Sequence, residues 1–354
     1  MKGIIMTFTI ATSLIAAQDT MYKYIDSFPE QVAQARAIGK TISVKNIPAH
    51  INGIVFAGMG GSGIAGQVVA TTLAQELSIP VATVKGYALP NWVNKNTLVI
   101  LLSYSGNTEE TISCFHDAKV RNACIAGITS GGQLADLLEH DGYDCIRVPG
   151  GMQPRAALGY LSIPLYYYVF KFGLTCKTVF EMLDQVEAML VKARDLYHAS
   201  GIANNAYAIA QKLQGKLPLM YGISESTDVV ATRWRAQLAE NSKVFASMHV
   251  VPEMNHNELE AFTRSMNNKD VAIVWLLDEA VHGRIKKRQR ICSDLMQPYA
   301  QTHIVVEVSG ATFMERMFHA LYLGDWVSYW LAQLNETDPL IIPMISALKE
   351  NMQD

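Results

Sequence analysis

Short apolar runs rich in Val and Ile alternate along this chain with longer stretches of helical periodicity. Residues 54–57 read as a strand, followed by a Gly-rich turn and a helix over 65–76. Strands follow at 81–84 and 97–102, then a polar turn at 103–107 and a helix beginning near Thr108. A strand at 123–128, a turn at 129–132, a helix ending at His140 and a strand at 144–148 complete this series. Apolar runs this short, separated by helical stretches and bounded by turn residues, are the pattern of βαβ crossovers. They predict a parallel sheet with helices on both faces, because crossovers of one hand carry each helix back over the sheet.

Strongly apolar helices over 153–173 and 178–200 come next, and then the alternation restarts. Strands are expected at 217–221, 243–247, 271–277 and 302–308. Helices are expected at 229–240, through the basic run 286–290, and at 313–333. The fold class is therefore α/β, with two α–β–α sandwiches, each a parallel sheet flanked by helices. The expected boundaries are an extended N terminus over 1–20, a first sandwich with its following helix over 21–173, a connecting helix over 174–200, and a second sandwich with a C-terminal helix over 201–354.

Lys2 followed by the apolar run 3–17 resembles a short signal peptide. Thr7, Thr9, Thr12 and Ser13 interrupt it, so the expectation is an extended start with Met21 opening the folded chain. The run falls short of the roughly 20 apolar residues a membrane span needs, and no other stretch qualifies. Of the 354 residues half are apolar and only 17% charged, which implies surface that is covered, for example between subunits. With 29 basic and 32 acidic residues the formal charge is −3, so no general attraction to nucleic acid follows. The run Lys286, Lys287, Arg288 and Arg290 has no interleaved aromatics and reads as a solvated helix face. Cys114, Cys124, Cys145, Cys176 and Cys292 form no CxxC pair and are odd in number; they read as reduced, small hydrophobes in a cytoplasmic protein.

Two turns carry chemistry. Gly58-Met59-Gly60-Gly61-Ser62-Gly63 follows a strand and matches GxGxxG. A dinucleotide site also wants an acidic residue at the end of the second strand, and that strand ends at Lys85-Gly86. What remains is a backbone that a ligand can approach closely, opening a helix whose N terminus favours an anion. Ser103-Tyr104-Ser105-Gly106-Asn107-Thr108 is the second turn, with Glu109 and Glu110 beginning the helix. Ordinary N-capping needs one hydroxyl from Ser105 or Thr108. Three hydroxyls around Gly106 suit a phosphate cradle that uses no lysine.

The pairing of these turns resembles the sugar isomerase (SIS) domain, whose phosphomonoester loop corresponds to the second. Further segments resemble the bifunctional phosphoglucose/phosphomannose isomerases: Gln153-Pro154-Arg155-Ala156-Ala157-Leu158-Gly159-Tyr160, Ala239-Glu240-Asn241-Ser242-Lys243, Glu253-Met254-Asn255-His256-Asn257-Glu258, and Leu348-Lys349. The resemblance runs from about Met21 to the C terminus. It implies glucose 6-phosphate and fructose 6-phosphate interconversion, and the same for mannose 6-phosphate, through an enediol and without metal or cofactor.

Gly60, Gly61, Ser62, Ser103, Ser105 and Thr108 would then bind the phosphate end of the substrate. Glu240 would be the base, His256 and Lys349 would open the sugar ring, and Arg155 would stabilise the enediolate oxygen. His256 in this family reaches the partner subunit's site, which implies a homodimer with shared active sites. Read without the resemblance, Glu240 is a solvated glutamate at a helix C terminus, a poor place for an anion. The spacing of His256 and Glu258 suggests a metal, yet no further His or Cys cluster supports a closed site. A non-catalytic sugar-phosphate sensor, or another SIS-type aldose–ketose isomerase, is the alternative. One departure stands out: members acting on both epimers tend to place a threonine before the proline that opens the last helix, whereas Ile342 precedes Pro343 here.

Overall fold

The computed structural model describes residues 20–45, 47–199, 204–263 and 270–352. The signal-like run at 3–17 lies outside these residues. The chain divides into two compact units. One consists of Ser27–Val191 with Gly310–Phe318; the other comprises Lys192–Ser309 and His319–Asp354, with the start of the chain up to Asp26.

The first unit runs α1 (Phe28–Thr41), β1 (Gly53–Gly58), α2 (Gly60–Leu73), β2 (Val81–Val84), β3 (Thr97–Leu102), α3 (Glu109–Val120), β4 (Cys124–Thr129), α4 (Gly132–His140), β5 (Asp144–Arg147) and α5 (Leu158–Lys171). Its five strands are all parallel, in the order β2-β1-β3-β4-β5. Every residue of β1 and β3 is buried. That is why these strands read as unbroken apolar runs and not as alternation: helices cover both faces. On one face Val55, Val99 and Leu101 pack with Phe115 of α3 and with Leu134 and Leu138 of α4. Burying each such side chain contributes about 1.5–3 kcal/mol.

Helix α6 (Thr178–Tyr197) leads onward, and the second unit contains α7 (Asn205–Leu213), β6 (Leu217–Ile223), α8 (Asp228–Asn241), β7 (Ser247–Val251), β8 (Val271–Leu277), α9 (Gly283–Met296) and β9 (Thr302–Glu307). Helices α10 (Phe313–Leu334) and α11 (Pro343–Asn351) end the chain. The second sheet is also all parallel, in the order β7-β6-β8-β9.

Both sheets thus share a design in which the strand order reverses direction beside the first strand. Loops leaving the carboxyl ends of two neighbouring strands then diverge and open a crevice. In the first unit these strands are β1 and β3, and in the second β6 and β8.

Several elements differ from their sequence-based expectation. Helix α2 begins at Gly60 and not near 65, because the glycine-rich stretch is already helical. The expected helix over 153–173 is a short 3₁₀ turn, Pro154–Ala156, followed by α5. The strand expected at 243–247 lies at Ser247–Val251 instead. Lys243 adopts φ +57° and the N–H of Val244 bonds back to Leu238 O at 3.1 Å, so these residues close α8. Phe245, which read as a strand residue, is 80% exposed. Cys176 is exposed, unlike the buried Cys114 and Cys292, so it is not the packed small hydrophobe expected.

Candidate active site

The first turn of α2 and the loop after β3 are joined by a bond from the Tyr104 N–H to Ser62 Oγ at 3.1 Å. Ser62 and Ser103 are both buried. The hydroxyls of Ser103 and Thr108 bond at 2.8 Å, and Ser103 Oγ accepts from the Gly106 N–H at 3.1 Å. Thr108 stands at the N-cap of α3 but makes no side-chain capping bond, and Ser105 Oγ accepts from the Asn107 N–H at 3.3 Å. Neither hydroxyl therefore does the ordinary capping that would explain its presence. Gly106 holds φ +73°, and a Cβ there would come within 1.7 Å of Gly131 O, so glycine is required.

A third segment completes this end of the first unit. A Cβ on Gly61 would lie 2.9 Å from Pro154 O and 3.0 Å from Arg155 Cα, so the absent side chain lets the 3₁₀ turn sit against the start of α2. The Tyr104 hydroxyl donates to Pro149 O at 2.8 Å and accepts from the Met152 N–H at 3.2 Å. Gln31 of α1 is buried; its Nε2 donates to Ala156 O at 2.9 Å and its Oε1 accepts from the Gly159 N–H at 2.6 Å. Arg155, itself only 3% exposed, is fixed between these anchors. Gly60, Gly61, Ser62, Ser103, Ser105, Thr108 and Arg155 thus lie at the carboxyl end of the central strands β1 and β3, near the N termini of α2 and α3. Tyr104 and Gln31 hold that arrangement and were missed. Gln31 was legible in principle, since Ser27, Pro29 and Glu30 form a helix-start signal.

The corresponding crevice of the second unit differs. Beside β6 and β8 the carboxylate of Asp278, 1% exposed, accepts from Ser226 Oγ at 3.4 Å, and Thr227 Oγ1 donates to Leu276 O at 3.1 Å. Among the described residues, the first unit thus presents hydroxyls and backbone N–H groups at this position, whereas the second presents a buried carboxyl group.

Glu240 is half-buried near the C-terminal end of α8. Its two successors are tied to α10: Asn241 Nδ2 donates to Ser328 Oγ at 2.9 Å and Ser242 Oγ to Ser328 O at 2.6 Å. Two turns before Glu240, buried Arg233 pairs with Asp325 through two bonds of 2.9 and 2.7 Å, and one turn before it Gln237 Nε2 reaches the same carboxylate at 2.8 Å. Lys243 Nζ donates to Glu240 O at 2.6 Å and to Asp338 O at 2.7 Å. An ammonium group at a helix C terminus offsets the negative end of the dipole, which answers the electrostatic objection to an anion at position 240.

His256 is exposed, the last residue of the 3₁₀ turn Glu253–His256 that follows β7. Lys349 is exposed on α11. Glu240, His256 and Lys349 therefore stand on three separate elements of the second unit. The carboxylate of Glu258, which with His256 suggested metal, is engaged by the Tyr221 hydroxyl at 2.6 Å and by His249 Nδ1.

Two parallel α/β units, one with a hydroxyl-rich turn at its strand-order reversal, define a protein of the SIS class. A SIS domain model matches residues 49–140, and the model of the bacterial phospho-glucose isomerase C-terminal SIS domain matches 202–352. A bifunctional phosphoglucose/phosphomannose isomerase of Caldicellulosiruptor bescii is 39% identical, over 94% of this chain and 99% of its own. Another, of Aquifex aeolicus, is 32% identical over 95% of this chain and 99% of its own. The chain belongs to the bifunctional phosphoglucose/phosphomannose isomerase family. Among solved structures, a hypothetical protein of Thermus thermophilus shares the fold with a TM-score of 0.72 at 13% identity, over 97% of this chain and 94% of that one. No described helix is long and apolar enough to cross a membrane.

Proposed function

We infer that this protein interconverts glucose 6-phosphate and fructose 6-phosphate, and also mannose 6-phosphate and fructose 6-phosphate, by proton transfer through an enediol. The observation that carries the reading is the buried Arg155 held against Gly61, beside an α3 N terminus that no side chain caps. The backbone N–H groups there, with the hydroxyls of Ser105 and Thr108, hold the phosphate without a lysine. His256 and Lys349 open the ring: a proton leaves O1, a proton is delivered to O5, and the C1–O5 bond breaks. The Glu240 carboxylate then takes the C2 proton, the electron pair forms the C1–C2 double bond, and charge develops on O1. Arg155, cationic at any working pH, stabilises that oxygen. Return of the proton to C1, with the O2 proton moving to O1, gives the ketose.

The working form in this reading is a homodimer in which His256 serves the partner's site. Exposed Phe245, Met344 and Leu348 in the second unit are apolar surface that such an interface would cover. Free thiols at all five cysteines suit a cytoplasmic setting.

A coupled assay with both aldose phosphates, with and without EDTA, tests the activity. Glucose phosphate turnover insensitive to EDTA is expected, with mannose phosphate turnover weaker because Ile342 offers no hydrogen bond. Binding without turnover would instead make the protein a sensor. Glu240→Gln is expected to lower kcat by more than tenfold with KM little changed. Mixing it with His256→Ala subunits should restore part of the activity, and no recovery after confirmed exchange would rule out shared sites.

A further inference from the structure

Tyr221 lies fully buried in β6, stacked on Trp275 with centroids 4.6 Å apart and on His249 at 5.5 Å. Its hydroxyl donates to Glu258 Oε1 at 2.6 Å. The other Glu258 oxygen pairs with His249 Nδ1, and His249 Nε2 bonds to Ser247 Oγ at 2.9 Å. A continuous polar chain, Ser247–His249–Glu258–Tyr221, thus runs from the edge strand β7 across β6. Its third member, Glu258, stands two positions after His256. On the other side of His256, Met254 is 2% exposed and packs with Tyr221, Trp275, Val251 and Phe262. Asn257 Oδ1 accepts from the Glu258 N–H at 2.6 Å, and Asn257 Nδ2 donates to Glu253 Oε1 at 3.2 Å. The exposed imidazole of His256 therefore rides on a short turn fixed at both shoulders, by packing at 254 and by hydrogen bonds at 258.

Burial and the Glu258 carboxylate raise the Tyr221 phenol above its ordinary range, so its hydroxyl is a donor at every working pH. An apolar contact at 258 would anchor the turn as firmly, since well-packed apolar residues often replace partly buried charges without loss of stability. What a carboxylate with two directed partners adds is orientation.

We propose that Glu258, held by Tyr221 and His249, is a positioning residue that sets the His256 imidazole for ring opening. This rests on the reading of His256 as a ring-opening group. The test isolates that step by measuring α/β anomer exchange of glucose 6-phosphate by NMR in protein carrying Glu240→Gln, where isomerisation is blocked. His256→Ala and Glu258→Ala should each slow enzyme-dependent exchange at least tenfold, and the double variant should be no slower than His256→Ala alone. Tyr221→Phe keeps the ring stacking, removes one bond, and should give a smaller loss at an unchanged melting temperature. Glu258→Gln keeps an acceptor for Tyr221 and should recover part of the rate.

Full exchange in Glu258→Ala and Tyr221→Phe, with His256→Ala slowed, would overturn the positioning role and leave the reading of His256 intact. Losses from His256→Ala and Glu258→Ala that multiply in the double variant would also overturn it, since residues acting through one another do not contribute independently. Unchanged exchange in His256→Ala would overturn both.

Discussion

Single side chains account for the difference between the two crevices. Ser62, Ser103 and Thr108 link the start of α2 to the loop after β3 by hydroxyl contacts, whereas Asp278 follows β8 in the second unit. A hydroxyl can serve backbone and anion in turn; a buried carboxylate excludes the anion. This yields a prediction. Ser105→Ala and Thr108→Ala should each raise KM for sugar phosphates about tenfold, because a hydrogen bond to a charged group contributes roughly 1.5–3 kcal/mol. Steady-state kinetics check it, and unchanged KM in both variants would remove this loop from the site. The turn around Gly106 was legible because it is a local structure, built within a few residues. The anchors of Arg155 were not, because Gln31 and Tyr104 come from 124 and 51 positions away.

Among the elements, α8 shows how a helix terminus is held by tertiary contacts. Ser328 of α10 receives both residues that follow Glu240, and Arg233 with Asp325 locks the preceding turns. Breaking that buried ion pair would cost about 3–5 kcal/mol and threaten folding, so it is a poor probe of function. Ser328→Ala is a better one, since it removes only the hydroxyl that accepts from Asn241 Nδ2, at a cost of about 1–3 kcal/mol. It should lower kcat about tenfold with little change in KM for the sugar phosphate, as expected when a reacting group shifts by a fraction of an ångström. A kcat equal to that of the wild type would show that α10 does not fix Glu240. The same region explains the misplaced β7. Val244 and Phe245 have strand-forming side chains, but Lys243 in the left-handed region and the bond from Val244 to Leu238 end a helix there. Local preference yields to a cap that the tertiary position of Ser328 and Asp338 sustains.

At the scale of the whole molecule, pH acts through histidines that folding buries. Burial holds His319 below its ordinary imidazole value; its Nε2 bonds to the Tyr197 hydroxyl at 2.9 Å, and its Nδ1 has no hydrogen-bond partner among the described residues. The folded chain therefore keeps it neutral more strongly than the unfolded chain does. Its contribution is fully present above about pH 6.5, the unfolded value, and is lost as pH falls through the lower folded value. Thermal melts of the whole protein should show a falling melting temperature below about pH 6.5, with a shallower slope in His319→Gln. An identical slope in that variant would assign the acid sensitivity to other groups.

The sequence by itself determined the alternation of strands and helices, the parallel character of both sheets and the hydroxyl-rich turn around Gly106. These depend on hydrophobic period and on turn residues, which act over short distances. Tertiary structure alone decided that one crevice presents hydroxyls and the other a buried carboxyl group. It also decided that the C-terminal end of α8 is held by α10, and that Glu258 belongs to Tyr221 and His249. Those facts depend on which buried donors meet which acceptors, and burial joins residues whose separation along the chain leaves no local trace.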